Sequence, residues 1–250
     1  MPGPAVTVVD SPEGVARAAA ERFVALAREA VAARGRFSVA LSGGSTPRAL
    51  FRILAGEPFR SQVPWDRIDV FWGDERCVPP THTDSNYRMA KATLLDAVPI
   101  PTARVHRIEA ERDDHPAAAA DYEAELARAL GGTPGDTPPA LDLVLLGMGP
   151  DGHTASLFPG TTALGEQRRW VVSNWVAKFK TDRITLTYPI LNRAAHVLFL
   201  VSGADKADVL REVLEGPAEL ERLPSQGIRP PAGAAWLVDR AAAARLEAAR

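Results

Sequence analysis

The 250-residue chain holds a single cysteine, Cys77. An internal disulfide is therefore excluded, and nothing in its cysteine usage points to an oxidising compartment. Its five histidines, His82, His106, His115, His153 and His196, lie far apart. With no HExxH and no cysteine pair, a structural zinc site is not expected and no metal is assigned. No apolar run approaches the ~20 residues of a membrane span. The opening MPGPAVTVVDSPEG lacks the charged-then-apolar order of a signal peptide. Neither sign of charge dominates: 29 Lys and Arg stand against 31 Asp and Glu, a formal net charge of -2. Such a balance gives no global basic field for nucleic acid or anionic membrane, so any anionic ligand has to be held by a local cluster. The expectation is a soluble, cytoplasmic protein, a monomer or weak homo-oligomer, with neither nucleic acid nor membrane as partner.

What the chain does have is rhythm. Hydrophobic residues make up 46% and charged residues 24%, ordinary for a globular protein. Short apolar runs alternate with longer helical patterns. VTVV (6–9), FSVAL (37–41), IDVFW (68–72), LDLVLL (141–146), WVVS (170–173), RITLT (183–187), HVLFLV (196–201) and AWLV (235–238) read as strands. Several are apolar on both faces, as parallel strands covered on both sides are. A first helix opens at Asp10 or Ser11 with Pro12 in its first turn, and Val15, Phe23, Leu26 and Ala30 recur at helical spacing. HPAAAADYEAELARAL is a helix and the alanine-rich DRAAAARLEAAR a final one, while GGTPGDTPPA (131–140) reads as a surface loop. The pattern predicts one α/β domain over 1–250 with a mostly parallel sheet.

In such sheets ligands bind beyond the carboxyl ends of the strands. Four strand ends here carry unusual residues. In VALSGGSTPRALF, Gly43, Gly44, Ser45 and Thr46 lie between a strand and a helix, where free N–H groups and hydroxyls suit an anion; the plainer alternative is a tight turn with Thr46 as helix cap. In FWGDERCVPPTHTDSNYRMA, Asp74, Glu75 and Arg76 come straight off a strand at the mouth of the expected site, whereas Asp84 and Ser85 read as a helix cap. LLGMGPDGHTASLFPG contains G-x-G-x-x-G as Gly147, Gly149 and Gly152. Asp151 would oppose a pyrophosphate there, and no acid stands ~20 residues on for a ribose, which argues against a dinucleotide. His153 is the better reading as a general base, with Asp151 orienting it or stabilising its cation. Finally, VAKFKTDRITLT supplies Lys178 and Arg183, and SGADKADVL supplies Lys206, as cations for a phosphate.

Taken in order and spacing, ALSGGSTP, FWGDERCVPPTHTDSNYRMA, LDLVLLGMGPDGHTASLFPG, DRITLTYPILNRA and LPSQGIRPPAGAAWLVD resemble the 6-phosphogluconolactonase family over essentially the whole chain. The resemblance implies a three-layer α/β/α fold with a Rossmann-like sheet, shared with glucosamine-6-phosphate deaminase and ribose-5-phosphate isomerase. It implies hydrolysis of 6-phospho-D-glucono-1,5-lactone, a small sugar-phosphate lactone, without metal or cofactor. By that similarity His153 is the base, Asp151 its neighbour, and Arg76, Lys178 and Arg183 line the substrate site. The chain departs from the family at 178–181, with KFKT where a proline-rich run is common. A lactone is an activated ester, so water and a base suffice, and correspondingly no G-x-S-x-G elbow occurs. Arg76 is assigned to the oxyanion, and 43–46 with Arg183 or Lys206 to the phosphate. The related deaminases carry glutamate five residues after the histidine, where this chain has Phe158, and usually Tyr where it has Arg76. A sugar-phosphate sensor of this fold carries a DNA-binding helix pair first, and a first strand at Val6 is expected to leave no room for one.

Overall fold

Six of the apolar runs pair side by side in the computed structural model, which describes residues 5–247. In chain order the strands are β1 (Ala5–Val9), β2 (Phe37–Leu41), β3 (Ile68–Trp72), β4 (Asp74–Arg76), β5 (Leu143–Leu146), β6 (Val171–Val176), β7 (Thr181–Leu186), β8 (His196–Val201) and β9 (Ala234–Asp239). The α-helices are α1 (Pro12–Arg34), α2 (Ser45–Ala55), α3 (Phe59–Gln62), α4 (Asn86–Thr93), α5 (His115–Leu130), α6 (Tyr188–Leu191) and α7 (Ala207–Glu215). The main sheet runs β1-β9-β8-β5-β2-β3, parallel at every pairing. β2, β3 and β5 are buried along their whole length, which is why their sequences do not alternate. None of the helices is long and apolar enough to cross a membrane among the described residues.

α1 shows how local signals place a layer. Ser11, in extended conformation, accepts from the Gly14 N–H at 3.1 Å, Pro12 sits in the first turn, and Gly35 ends the helix at φ 74°. Val15, Phe23, Leu26 and Ala30 are all buried, and Phe23 meets Phe37 of β2 edge-on at 5.5 Å. Val15, Phe23 and Leu26 each contribute about 1.5–3 kcal/mol by leaving water.

Two expectations need correction. The runs around 170–187 do not join the parallel sheet: β6 and β7 form a separate antiparallel sheet in the order β4-β7-β6. The turn between Val176 and Thr181 is too short for the crossover a parallel pair requires. The final helix is also absent as such. Asp239 closes β9, and its carboxylate accepts from the N–H groups of Gly203 and Ala242, leaving only a 3-10 turn at Ala242–Arg245. Alanine's helix propensity is weak against such an anchor, and residues 248–250 of the expected helix lie outside the described ones.

A buried histidine pins α5 to the sheet edge. The His106 ring stacks on Phe71 at 4.5 Å, with Nδ1 2.5 Å from Glu125 and Nε2 3.4 Å from Asp69. Arg104 backs Asp69 at 3.0 Å, and Arg128 backs Glu125. Burial opposes the charged imidazole, but the two carboxylates outweigh it and raise its pKa. A raised histidine pKa stabilises the fold fully below the unfolded value of about 6.5, and that stability is lost as pH climbs through the folded value. His106→Gln is expected to cost about 2 kcal/mol near pH 6. The gap to the parent in a thermal-unfolding series should narrow with rising pH; a gap independent of pH would show that the imidazolium is not what is being held.

Candidate active site

The loop leaving β5 folds back on itself because Gly149 donates its N–H to the His153 carbonyl at 2.9 Å and Gly152 donates to Gly149 at 3.0 Å. This turn brings Asp151 and His153 side by side, and His153 Nδ1 bonds the Asp151 carboxylate. Lys178, from the β6–β7 turn, donates to the other oxygen of Asp151 at 2.9 Å. Burial opposes ionisation of Asp151, yet the bonds from His153 and Lys178 prevail and hold its pKa well below the usual carboxylate range. In the neutral imidazole, an ionised Asp151 favours the tautomer with the proton on Nδ1, which leaves the lone pair on Nε2. Nε2 has no protein partner among the described residues. Phe158 stacks on the imidazole at 4.0 Å and 22°. A Cβ on Gly149 would stand 2.0 Å from Nδ1, so the backbone here has to be bare.

β4 supplies the frame. Asp74 accepts from Ser156 Oγ at 2.6 Å and from Asn86 Nδ2 at 3.3 Å, which also donates to the Asp74 carbonyl at 2.9 Å. Glu75 accepts from the N–H groups of Arg76, Asn86 and Tyr87 at 2.7–2.8 Å and from Ser85 Oγ at 3.0 Å. Burial pushes the Glu75 pKa up against those backbone donors. Both carboxylates are buried, at 7% and 3% exposure, and are engaged inward rather than presented to a ligand. Asn86 in turn lies against Gly43, where a Cβ would sit 2.0 Å from Oδ1. The anion loop, β4, α4 and the histidine loop are thus linked through Gly43, Asn86, Asp74 and Ser156.

The four cations expected at this site lie differently from one another. Arg76 and Arg183 face each other directly across β4 and β7. Arg76 Nη1 donates to the Asp84 carbonyl at 2.5 Å. Arg183 makes no ion pair among the described residues, and its Nε is buried without a partner. Burial and the neighbouring Arg76 both lower its pKa. Lys178 is taken up by Asp151, and Lys206, at the strand end after β8, pairs with Asp205 at 2.6 Å. α2 begins without a side-chain cap: its cap position is Gly44 at φ 110°, so Thr46 is not the cap, and the N–H groups of residues 43–46 have no protein acceptor among the described residues. Ser85, by contrast, does cap α4, accepting from Arg88 at 3.0 Å.

The structure therefore brings Asp151, His153 and Lys178 into contact and sets Arg76 against Arg183, while Lys206 meets none of these residues. Sequence reasoning missed Asn86, Ser156, Asn174 and Phe179. Asn174 donates to the Ser156 carbonyl at 2.8 Å and so braces the histidine loop. A polar residue buried among the apolar ones of β6 was the available signal for Asn174. Cys77 is half-buried, and burial pushes its thiol up to about 12, which makes it a poor nucleophile at neutral pH.

Fold and site together define an α/β enzyme with a histidine–carboxylate pair at the carboxyl ends of a parallel sheet, the carboxylate bonded to Lys178. The family described as glucosamine-6-phosphate isomerases/6-phosphogluconolactonase matches residues 10–237, and the chain belongs to it. A Nostoc protein named 6-phosphogluconolactonase is 45% identical over 218 residues, covering 87% of this chain and 88% of that one. A Streptomyces coelicolor protein of the same name is 39% identical, covering 97% and 95%. The solved 6-phosphogluconolactonase from Trypanosoma cruzi superposes with a TM-score of 0.86 at 30% identity, covering 98% of this chain and 97% of that one.

Gly149→Ala tests whether the pair's position matters. Its methyl has to displace His153 or Asp151, and a displacement of that size costs on the order of 10²-fold in turnover. Steady-state kinetics on a variant verified as folded by circular dichroism should show the loss in kcat; parent-like turnover would mean the pair is not placed by this contact.

Proposed function

We propose that this chain hydrolyses 6-phospho-D-glucono-1,5-lactone to 6-phosphogluconate with His153 as general base. The observation that carries this reading is the His153–Asp151 pair with Nε2 left open, on a fold whose curated relatives bear the lactonase name. Nε2 takes a proton from water as the water oxygen bonds to the lactone carbonyl carbon. The displaced electron pair moves onto the carbonyl oxygen, where the guanidinium of Arg76 holds the charge. Collapse breaks the bond to the ring oxygen, which receives the proton back from His153, and the new carboxylic acid ionises. Asp151 stays charged throughout, steadying the imidazolium. The phosphate dianion lies between the free N–H groups of residues 43–46 and Arg183, whose buried Nε lacks a partner. Lys206 is engaged by the neighbouring Asp205 and contacts neither group. The deaminase alternative is disfavoured by Phe158, an apolar ring against His153 where a proton relay needs a carboxylate.

His153→Asn keeps a polar amide near the Nδ1 position but not the base, and should lower kcat by about 10²–10⁴-fold while the variant still binds product. Acid release from freshly made lactone, corrected for spontaneous hydrolysis, is the measurement, and near-parental turnover would sink the assignment. Arg183→Ala separates binding from chemistry. It should raise KM for the phosphorylated lactone by at least roughly tenfold with a smaller effect on kcat, and leave slow hydrolysis of unphosphorylated gluconolactone nearly unchanged. An equal loss on both substrates would place the phosphate elsewhere.

A further inference from the structure

Phe179 sits in the short turn between β6 and β7, part of the departure from the family's proline-rich run. The turn is tight: Phe179 N–H bonds the Val176 carbonyl at 3.0 Å, Lys180 N–H bonds Ala177 at 3.2 Å, and Lys180 adopts φ 50°. The ring is 47% exposed, yet its contacts are specific. Its edge-to-face partner is Phe158 at 5.7 Å and 78°, and Phe158 is the ring stacked on His153. The Arg183 guanidinium lies 5.4 Å from the Phe179 centroid, and Lys178 Nζ lies 5.5 Å from it.

Arg183 has little else to orient it. It makes no ion pair among the described residues, Arg76 repels it from across the strands, and its Nε is unpartnered. A cation with such freedom settles on an aromatic face, because the ring quadrupole attracts it. Phe179 therefore touches both halves of the site at once, the cation on one side and, through Phe158, the histidine on the other.

We propose that Phe179 is a positioning residue of the hydrolytic site: it holds the Arg183 guanidinium where the substrate phosphate arrives and backs the Phe158 ring against His153. This rests on the reading of Arg183 and His153 given above. An aliphatic side chain fills the same space without the quadrupole, so Phe179→Leu tests the ring's electronic role, and Phe179→Tyr is the conservative rescue. The half-exposed position makes both variants compatible with the fold, which thermal unfolding checks.

Phe179→Leu should raise KM for 6-phosphogluconolactone, and the dissociation constant of 6-phosphogluconate measured by calorimetry, by roughly fivefold, with kcat within about twofold of the parent. Phe179→Tyr should keep parental values. In the Arg183→Ala background the leucine substitution should add nothing further, since the partner it serves is gone. A leucine variant indistinguishable from the parent, or one whose effect multiplies with Arg183→Ala, overturns the proposal while leaving the lactonase reading intact. An unchanged KM in Arg183→Ala alone overturns the placement of the phosphate on Arg183 and this proposal with it.

Discussion

A carboxylate taken out of water has to be met by donors or it loses its charge, and Asp74 and Glu75 meet that demand in a way that assembles the cleft. Glu75 gathers the first N–H groups of α4 and the Ser85 hydroxyl, fixing where that helix starts. Asp74 reaches the other way, to Ser156 in the histidine loop and to Asn86 beneath Gly43. Three loops from different strands thereby share one buried anchor. Without such donors the buried oxygens would be left unpaired, and the loops would lose their common reference.

Much of this was legible in the sequence, and the rest was hidden for identifiable reasons. Parallel strands buried on both faces announce themselves as unbroken apolar runs, so β2, β3 and β8 stand where the runs do. The Gly-rich turn with Asp151 and His153 was readable because so little else explains a histidine there. Strand direction was not readable from the apolar content of 170–187; only the short connection between β6 and β7 dictates antiparallel pairing. Asp74 and Glu75 looked like residues offered to a ligand. Their inward bonding depends on Asn86 and Ser156, and pairs so distant in sequence leave no local trace. The alanine-rich tail misled for the opposite reason: propensity is local, and the Asp239 anchor that overrides it is tertiary.

The opposed arginines connect that frame to the chemistry. Like charges directly across a strand pair destabilise it, so Arg76 and Arg183 carry repulsion that folding has to overcome. The buried carboxylates of Asp74 and Glu75 lie close enough to favour the charge on Arg183, which keeps the repulsion tolerable. They do not neutralise it, because their own oxygens are committed to Ser156, Asn86 and the start of α4. The result is a positive field confined to a few residues of a protein whose net charge is -2. Negative charge arriving beside either guanidinium would relieve the repulsion as well as gain its own hydrogen bonds, and that relief belongs wholly to the bound state. On the proposed reading, the substrate phosphate meets Arg183 and the developing oxyanion meets Arg76. The substrate's binding free energy then draws on strain already present in the fold, and a ligand that binds only the native state stabilises it in turn. The same carboxylates that position the histidine loop thus set how much positive charge the neighbouring strands can carry, so His153 and the opposed arginines occur on elements sharing one buried anchor.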